Sequence, residues 1–161
     1  MKELIIREAV KQDAECILGF IQELAEYEKL SHEVVATVSH IENTLFSSNP
    51  KAFCLIAQWE GKAAGMALYF YNYSTFNGKH GIYLEDLYVN PSYRGKKIGY
   101  SLLQKLAQIA LDNDCARVEW SVLNWNTPAI DFYKSIGAGP MDEWSIFRLT
   151  GDALVKFGGN K

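Results

Sequence analysis

The chain has 161 residues, 48% of them apolar, enough to bury one sizeable core without disulfide or metal staples. A net charge of -3 excludes a general nucleic-acid binder, which needs a strongly basic face, and leaves cationic small molecules open as ligands. Cys16, Cys54 and Cys115 are odd in number and widely spaced, which fits neither a disulfide framework nor a CxxC metal site and points to reduced thiols in the cytoplasm.

Residues 3–9 read as a strand, and the charges of Lys2, Glu3, Arg7 and Glu8 leave no secretory apolar region there. Asp13 stands where it would cap a helix with the stripe Ala14, Ile17, Leu18, Ile21, Leu24 and Ala25. A short helix is predicted from Thr37 to Phe46. Phe53–Trp59 and Ala63–Tyr73 are apolar, aromatic and β-branched around Glu60-Gly61-Lys62, the pattern of a hairpin. The longest apolar run, Ala63 to Tyr71, covers about half a membrane span, so no membrane partner is expected. Asn77-Gly78 marks the next turn and Gly81–Val89 the next strand, ended by Asn90-Pro91. A helix over Lys97–Asp112, a strand over Ala116–Leu123, a helix over Thr127–Ile136 closed by Gly137, and a strand over Trp144–Leu149 complete a βααβββαβαβ order. The last four residues read as frayed. With no linker, repeat or low-complexity tract, residues 1–161 are expected to form a single mixed α/β (α+β) domain.

Chemistry is concentrated at Arg94-Gly95-Lys96-Lys97-Ile98-Gly99, between a strand and a long helix. Unpaired N–H groups and the helix dipole favour an anion there, the glycines allow close backbone approach, and three cations add charge. A plain turn with a solvated basic rim has the same composition. Neither G-x-G-x-x-G nor G-x-x-x-x-G-K-[ST] is present, which argues against a Rossmann or P-loop nucleotide site.

The run Leu84-Glu85-Asp86-Leu87-Tyr88-Val89-Asn90-Pro91-Ser92-Tyr93-Arg94-Gly95-Lys96-Lys97-Ile98-Gly99 resembles the acetyl-CoA motif Q/R-x-x-G-x-G/A of the GNAT N-acetyltransferase superfamily, with Lys97 at the middle glycine. Trp125-Asn126-Thr127-Pro128-Ala129-Ile130-Asp131-Phe132-Tyr133-Lys134 resembles that superfamily's W-N-x-x-A-x-x-x-Y segment. Glu26-Tyr27-Glu28, Tyr73-Ser74-Thr75-Phe76 and Asn124-Trp125-Asn126 place the likeness nearest the diamine (spermidine/spermine) and thialysine acetyltransferases. The resemblance implies a GNAT fold, a central, mostly antiparallel twisted sheet with helices on both faces, and a homodimer to which Trp144 and Phe147 would contribute. It implies acetyl transfer from acetyl-CoA to a small-molecule amine by direct attack, with no metal. A non-catalytic acyl-CoA-binding module and a protein or peptide acetyltransferase are the rival readings.

Amine acetylation needs a base to free the nitrogen lone pair, donors for the carbonyl oxyanion and an acid for the leaving thiolate. Strand parity puts Glu85 on a face with Leu87 and Val89 and turns Asp86 to the other; a bulge would change this. A solvated carboxylate is the plainer reading of Glu85, a core tyrosine that of Tyr133, and a helix cap that of Asn126. The resemblance implies Glu85 as base, through water, and Tyr133 as acid. It places cofactor contacts at Leu87, Tyr88, Val89, Arg94, Gly95, Lys96, Lys97, Ile98, Gly99, Tyr100 and Asn126. It puts Tyr27, Glu28, Ser74, Phe76, Glu85 and Asp86 around the amine. Polyamine-acetylating relatives carry aspartate at the Ser74 position, so serine there predicts a preference for thialysine-like amino acids or short diamines over spermidine and spermine.

Overall fold

A computed structural model describes residues 3–159, which fall into two compact units divided between Leu123 and Asn124. The larger unit contains β1 (Leu4–Glu8), α1 (Ala14–Tyr27), α2 (Val38–Leu45), β2 (Phe53–Trp59), β3 (Lys62–Ser74), β4 (Lys79–Val89), α3 (Ile98–Asp112) and β5 (Val118–Trp120). The strands form one sheet in sequential order, antiparallel except where β4 meets β5. That parallel pair needs a crossover, and α3 supplies it. The mixed α/β fold, with a mostly antiparallel sheet between helices, is the one expected.

Alternation along the strands divides the core. Cys54, Ile56, Met66 and Tyr88 pack against Ala14, Ile17 and Phe20 of α1 and Ile41 of α2. Leu55, Ala57 and Ala67 alternate with them and are also buried, on the face where α3 lays Ile98, Leu102, Leu103, Leu106 and Ala110 along the strands. The hairpin turns follow sequence chemistry: Glu60 (φ 48°) and Gly61 (φ 84°) join β2 to β3, and Gly78 (φ 64°) lies in the β3–β4 turn.

Helix α2 starts as predicted, with Thr37 Oγ1 accepting from the His40 N–H at 3.1 Å. Helix α1 does not. Asp13 is at its N-cap, but the carboxylate takes both Arg7 guanidinium nitrogens (2.7 and 2.9 Å) and the Val10 N–H (2.7 Å), fastening β1 to the turn before the helix. A bidentate charged partner outcompetes a neutral helical N–H for the same oxygens.

The smaller unit holds α4 (Thr127–Ser135) and α5 (Gly151–Gly158), and Gly137 at φ 94° follows α4 as expected. The strand predicted over Trp144–Leu149 is not formed, and Trp144, Ile146, Phe147 and Leu149 are exposed. Aromatic and β-branched composition shows that a segment suits a sheet, but a strand forms only where a second segment pairs with it, and 144–149 pairs with none of the described strands. Strand β5 is likewise confined to Val118–Trp120. Gly158 ends α5 and Gly159 follows it, while Asn160 and Lys161 of the predicted frayed tail lie outside the described residues.

Candidate active site

The site is organised by an irregularity in β4. On β3, Leu68 pairs with Asp86 and Tyr69 with Leu84, which leaves Glu85 as the extra residue of a β-bulge. The bulge inverts side-chain parity: Tyr83, Asp86 and Tyr88 share the α1–α2 face, whereas Leu84, Leu87 and Val89 share the α3 face. The simple alternation that grouped Glu85 with Leu87 and Val89 is therefore corrected, because the extra residue belongs to neither regular row.

Beyond the bulge the strand also loses a neighbour. Pairing with β5 runs only from Ile82 to Leu84, while pairing with β3 continues to Val89. Among the described residues, no strand pairs with the other edge of Glu85–Val89, where the N–H and C=O groups of an extended ligand can pair.

Three carboxylates interact at this position. Burial, then Glu85, then Glu28 push the half-buried Asp86 carboxyl up to about 6, and burial alone raises Glu28. Packing like charges costs free energy unless a cation or a shared proton relieves it, so the cluster suits an ammonium group and can hold a proton near neutral pH. The resemblance places Asp86 around the amine, whereas simple strand parity sets it on the face opposite Glu85.

The open edge runs straight into the basic loop. Gly95 (φ 80°) and Lys97 (φ 60°) both take left-handed backbone, which explains why the motif prefers glycine at the Lys97 position. The first helical bond of α3 is Ser101 N–H to the Lys97 carbonyl, so the N–H groups of Ile98, Gly99 and Tyr100 precede it at the positive end of a 15-residue helix. A Cβ on Gly99 would make only ordinary contact with Val89. The loop cations rest on rings: Arg94 lies 5.7 Å from the Tyr27 centroid and donates from Nε to the Val89 carbonyl (3.2 Å), and Lys96 Nζ lies 5.0 Å from Trp59. Trp59 was not singled out in the sequence, where only its place at the end of β2 marks it. Tyr88 and Ile98 bury their side chains, so their backbones alone are available to a ligand, whereas Tyr100 is exposed.

Ser74 and Phe76 are not brought to this cluster within the chain. Ser74 is buried at the far end of β3, its hydroxyl accepting from the Asn77 N–H (3.3 Å) and Nδ2 (2.9 Å). It pairs with Lys79, six residues before Glu85, a span of roughly 20 Å along a strand. Phe76 is fully exposed on the same turn. In the smaller unit, Asn126 caps α4 by accepting from the Ala129 N–H at 3.4 Å, and half-buried Tyr133 packs its ring 5.6 Å from Phe132.

The three thiols are poor nucleophile candidates, since burial pushes Cys54 up to about 12 and raises Cys16 and Cys115. Among the described residues no group of three His, Cys, Asp or Glu side chains is placed to hold a metal ion, and no described helix is long and apolar enough to cross a membrane.

Comparison with known proteins agrees with this geometry. Residues 12–138 match the acetyltransferase (GNAT) family. The chain is 41% identical over 99% of both lengths to a thialysine N-epsilon-acetyltransferase of Sus scrofa. It is 32% identical to an L-ornithine N5-acetyltransferase of Arabidopsis thaliana, over 92% of this chain and 85% of the relative. Among solved structures, an integron cassette protein from the mobile metagenome of V. cholerae superposes with a TM-score of 0.83 at 29% identity, covering 99% of this chain and all of that one. The open strand edge, the cation-bearing loop at a helix N-terminus and a full-length likeness to acetyltransferases lead to one conclusion: the chain belongs to the acetyltransferase (GNAT) family and is an N-acetyltransferase.

Proposed function

We propose that the protein transfers the acetyl group of acetyl-CoA to the side-chain amine of a thialysine- or ornithine-like amino acid, or of a short diamine. The observation that carries this reading is the open edge Glu85–Val89, with an acid cluster at its start and a basic loop at its end. Relatives acting on thialysine and ornithine support an acceptor with one distal ammonium.

Acetyl-CoA supplies the activated thioester. The β4 edge from Leu87 to Val89 pairs with its pantetheine arm, and the loop Arg94–Gly99 with Tyr100 binds its pyrophosphate through backbone N–H groups and cations. Glu28, Glu85 and Asp86 hold the ammonium and take its proton, directly or through water, freeing the lone pair for attack. The Leu87 N–H stabilises the oxyanion, and Tyr133 protonates the departing thiolate. Asn126 adds a polar contact to the cofactor arm. No step calls on a metal. This reading takes residues 1–161 as a single acetyltransferase domain, and the family match over residues 12–138, which continues past Leu123, supports it.

The same reading has the enzyme in the cytoplasm as a homodimer without nucleic-acid partners, supported by three free thiols, the acidic balance and exposed Trp144 and Phe147. Sedimentation equilibrium reads the oligomeric state. The deciding experiment is an amine panel with acetyl-CoA, following free thiol. Thialysine, ornithine and putrescine should exceed spermidine and spermine in kcat/KM. Activity on peptide amines alone, or thiol release with no amine, would sink the assignment.

A further inference from the structure

The basic loop leaves β4 at Asn90, and each hydrogen-bonding group of that residue is engaged. Its N–H donates to the Ala64 carbonyl (2.8 Å) and its carbonyl accepts from the Tyr93 N–H (2.9 Å). Its Oδ1 accepts from the Ser92 N–H (2.9 Å), and its Nδ2 donates to Glu23 Oε1 (2.9 Å). The same Glu23 oxygen accepts from the Tyr88 hydroxyl at 2.8 Å. Glu23 stands on α1 one helical turn before Tyr27, the residue whose ring underlies Arg94.

We propose that Glu23 is a positioning residue for acetyl-CoA, clamping Asn90 so that the loop from Pro91 to Ile98 holds its anion-binding shape before the co-substrate arrives. This rests on the acetyl-CoA reading above. A carboxylate can only accept, so it fixes which way the Asn90 amide faces and reserves Oδ1 for Ser92. Its bonds are charge-assisted and roughly twice as strong as neutral ones. The loop contains two left-handed residues, Gly95 and Lys97, and such backbone persists only where its surroundings over-determine it. A loop fixed at Asn90 and again at α3 spends less ordering entropy on binding. Because Glu28 is the C-cap of α1, the clamp ties the co-substrate loop to the helix that ends at one of the amine carboxylates.

The test reverses the polarity of the pair. Asn90→Asp sets two carboxylates against each other, and the acetyl-CoA Kd measured by calorimetry should rise about tenfold or more. Adding Glu23→Gln restores a donor to Asp and keeps an acceptor for Tyr88, so the double variant should return to within about threefold of the parent. The loss should fall on the KM for acetyl-CoA rather than on kcat. Should Asn90→Asp fail to fold, Glu23→Leu is measured the same way, with the same tenfold loss expected. Parent-like affinity in Asn90→Asp or Glu23→Leu, or a double variant no better than Asn90→Asp, overturns the clamp alone. Absence of acetyl-CoA binding by the parent protein overturns the acetyl-CoA reading and the clamp with it.

Discussion

At its Lys79 end, β4 is flanked on both sides, with β3 along one edge and the chain entering β5 along the other. There the Ala116 N–H reaches the His80 carbonyl, the Ile82 N–H reaches the Arg117 carbonyl, and Lys79 Nζ pairs with Asp114 at 2.9 Å. At its Val89 end the same strand has β3 alone, a bulge, a cluster of acids and a left-handed loop. One strand therefore contains a half paired along both edges and a half paired along one, where the acids and the left-handed loop lie. The lesson is that a single inserted residue changes side-chain direction just where the parallel partner ends, so chemistry and edge appear together.

The largest expected contrast is between the halves' polar groups. Asp86→Asn should lower kcat/KM by about 10²–10³-fold if its carboxylate shares in proton removal, whereas Tyr83→Phe, on the same face before the bulge, should stay near the parent value. The parent rate should climb through about pH 6 as Asp86 ionises, and the variant should lose that limb. Stability should move the opposite way. A carboxyl raised to about 6 binds a proton in the folded chain that the unfolded chain has released, so stability falls as pH rises from about 4 to 6, and Asp86→Asn flattens that slope. Melting temperatures between pH 4 and 8 read this directly. A steeper slope in the variant would remove Asp86 from the cluster.

Backbone crowding separates the halves next. A Cβ on Gly65, opposite Val89, would collide with the Tyr88 carbonyl oxygen, so Gly65→Ala should cost about 2–4 kcal/mol. Gly78→Ala at the other end meets open space and costs only its left-handed φ, about 1 kcal/mol. Urea unfolding at 25 °C compares them, and equal costs would mean that the Val89 end is not tightly packed. A smaller gain is expected from Lys97→Gly, which relieves left-handed strain and should raise Tm by about 2–4 °C without weakening acetyl-CoA binding through the backbone. The smallest effect is expected from Ser74→Asp. Its distance from Glu85 along β4 should hold the change in spermidine-to-thialysine kcat/KM ratio below about threefold. A tenfold turn towards spermidine would mean that the hairpin of another copy reaches the acid cluster.

Much of this could be read from the chain because local chemistry decided it. Gly61 and Gly78 supply the positive φ that the two turns use, the apolar runs between them suit paired strands, and Thr37 caps α2 with its own side chain. The bulge could not be read, since Tyr83-Leu84-Glu85-Asp86-Leu87-Tyr88-Val89 alternates tolerably in either register and only pairing with β3 selects the extra residue. The engagement of Asp13 could not be read either, because its partner, Arg7, lies on the preceding strand. The partners of Glu23 are illegible for the same reason, lying about 65 residues away. Trp144–Leu149 has strand composition and no strand, because pairing is a property of two segments and composition describes one.

The open edge of β4 also bears on solubility. A bare strand edge invites another chain to add itself, and Leu87, Tyr88 and Val89 are the residue types that favour such stacking. Here the exposed stretch is only five residues long and begins with Glu85 and Asp86, whose charge would repel the same pair on an identical incoming strand. The carboxylates that suit the cluster to an ammonium therefore also give the open edge a charge that opposes pairing with an identical strand.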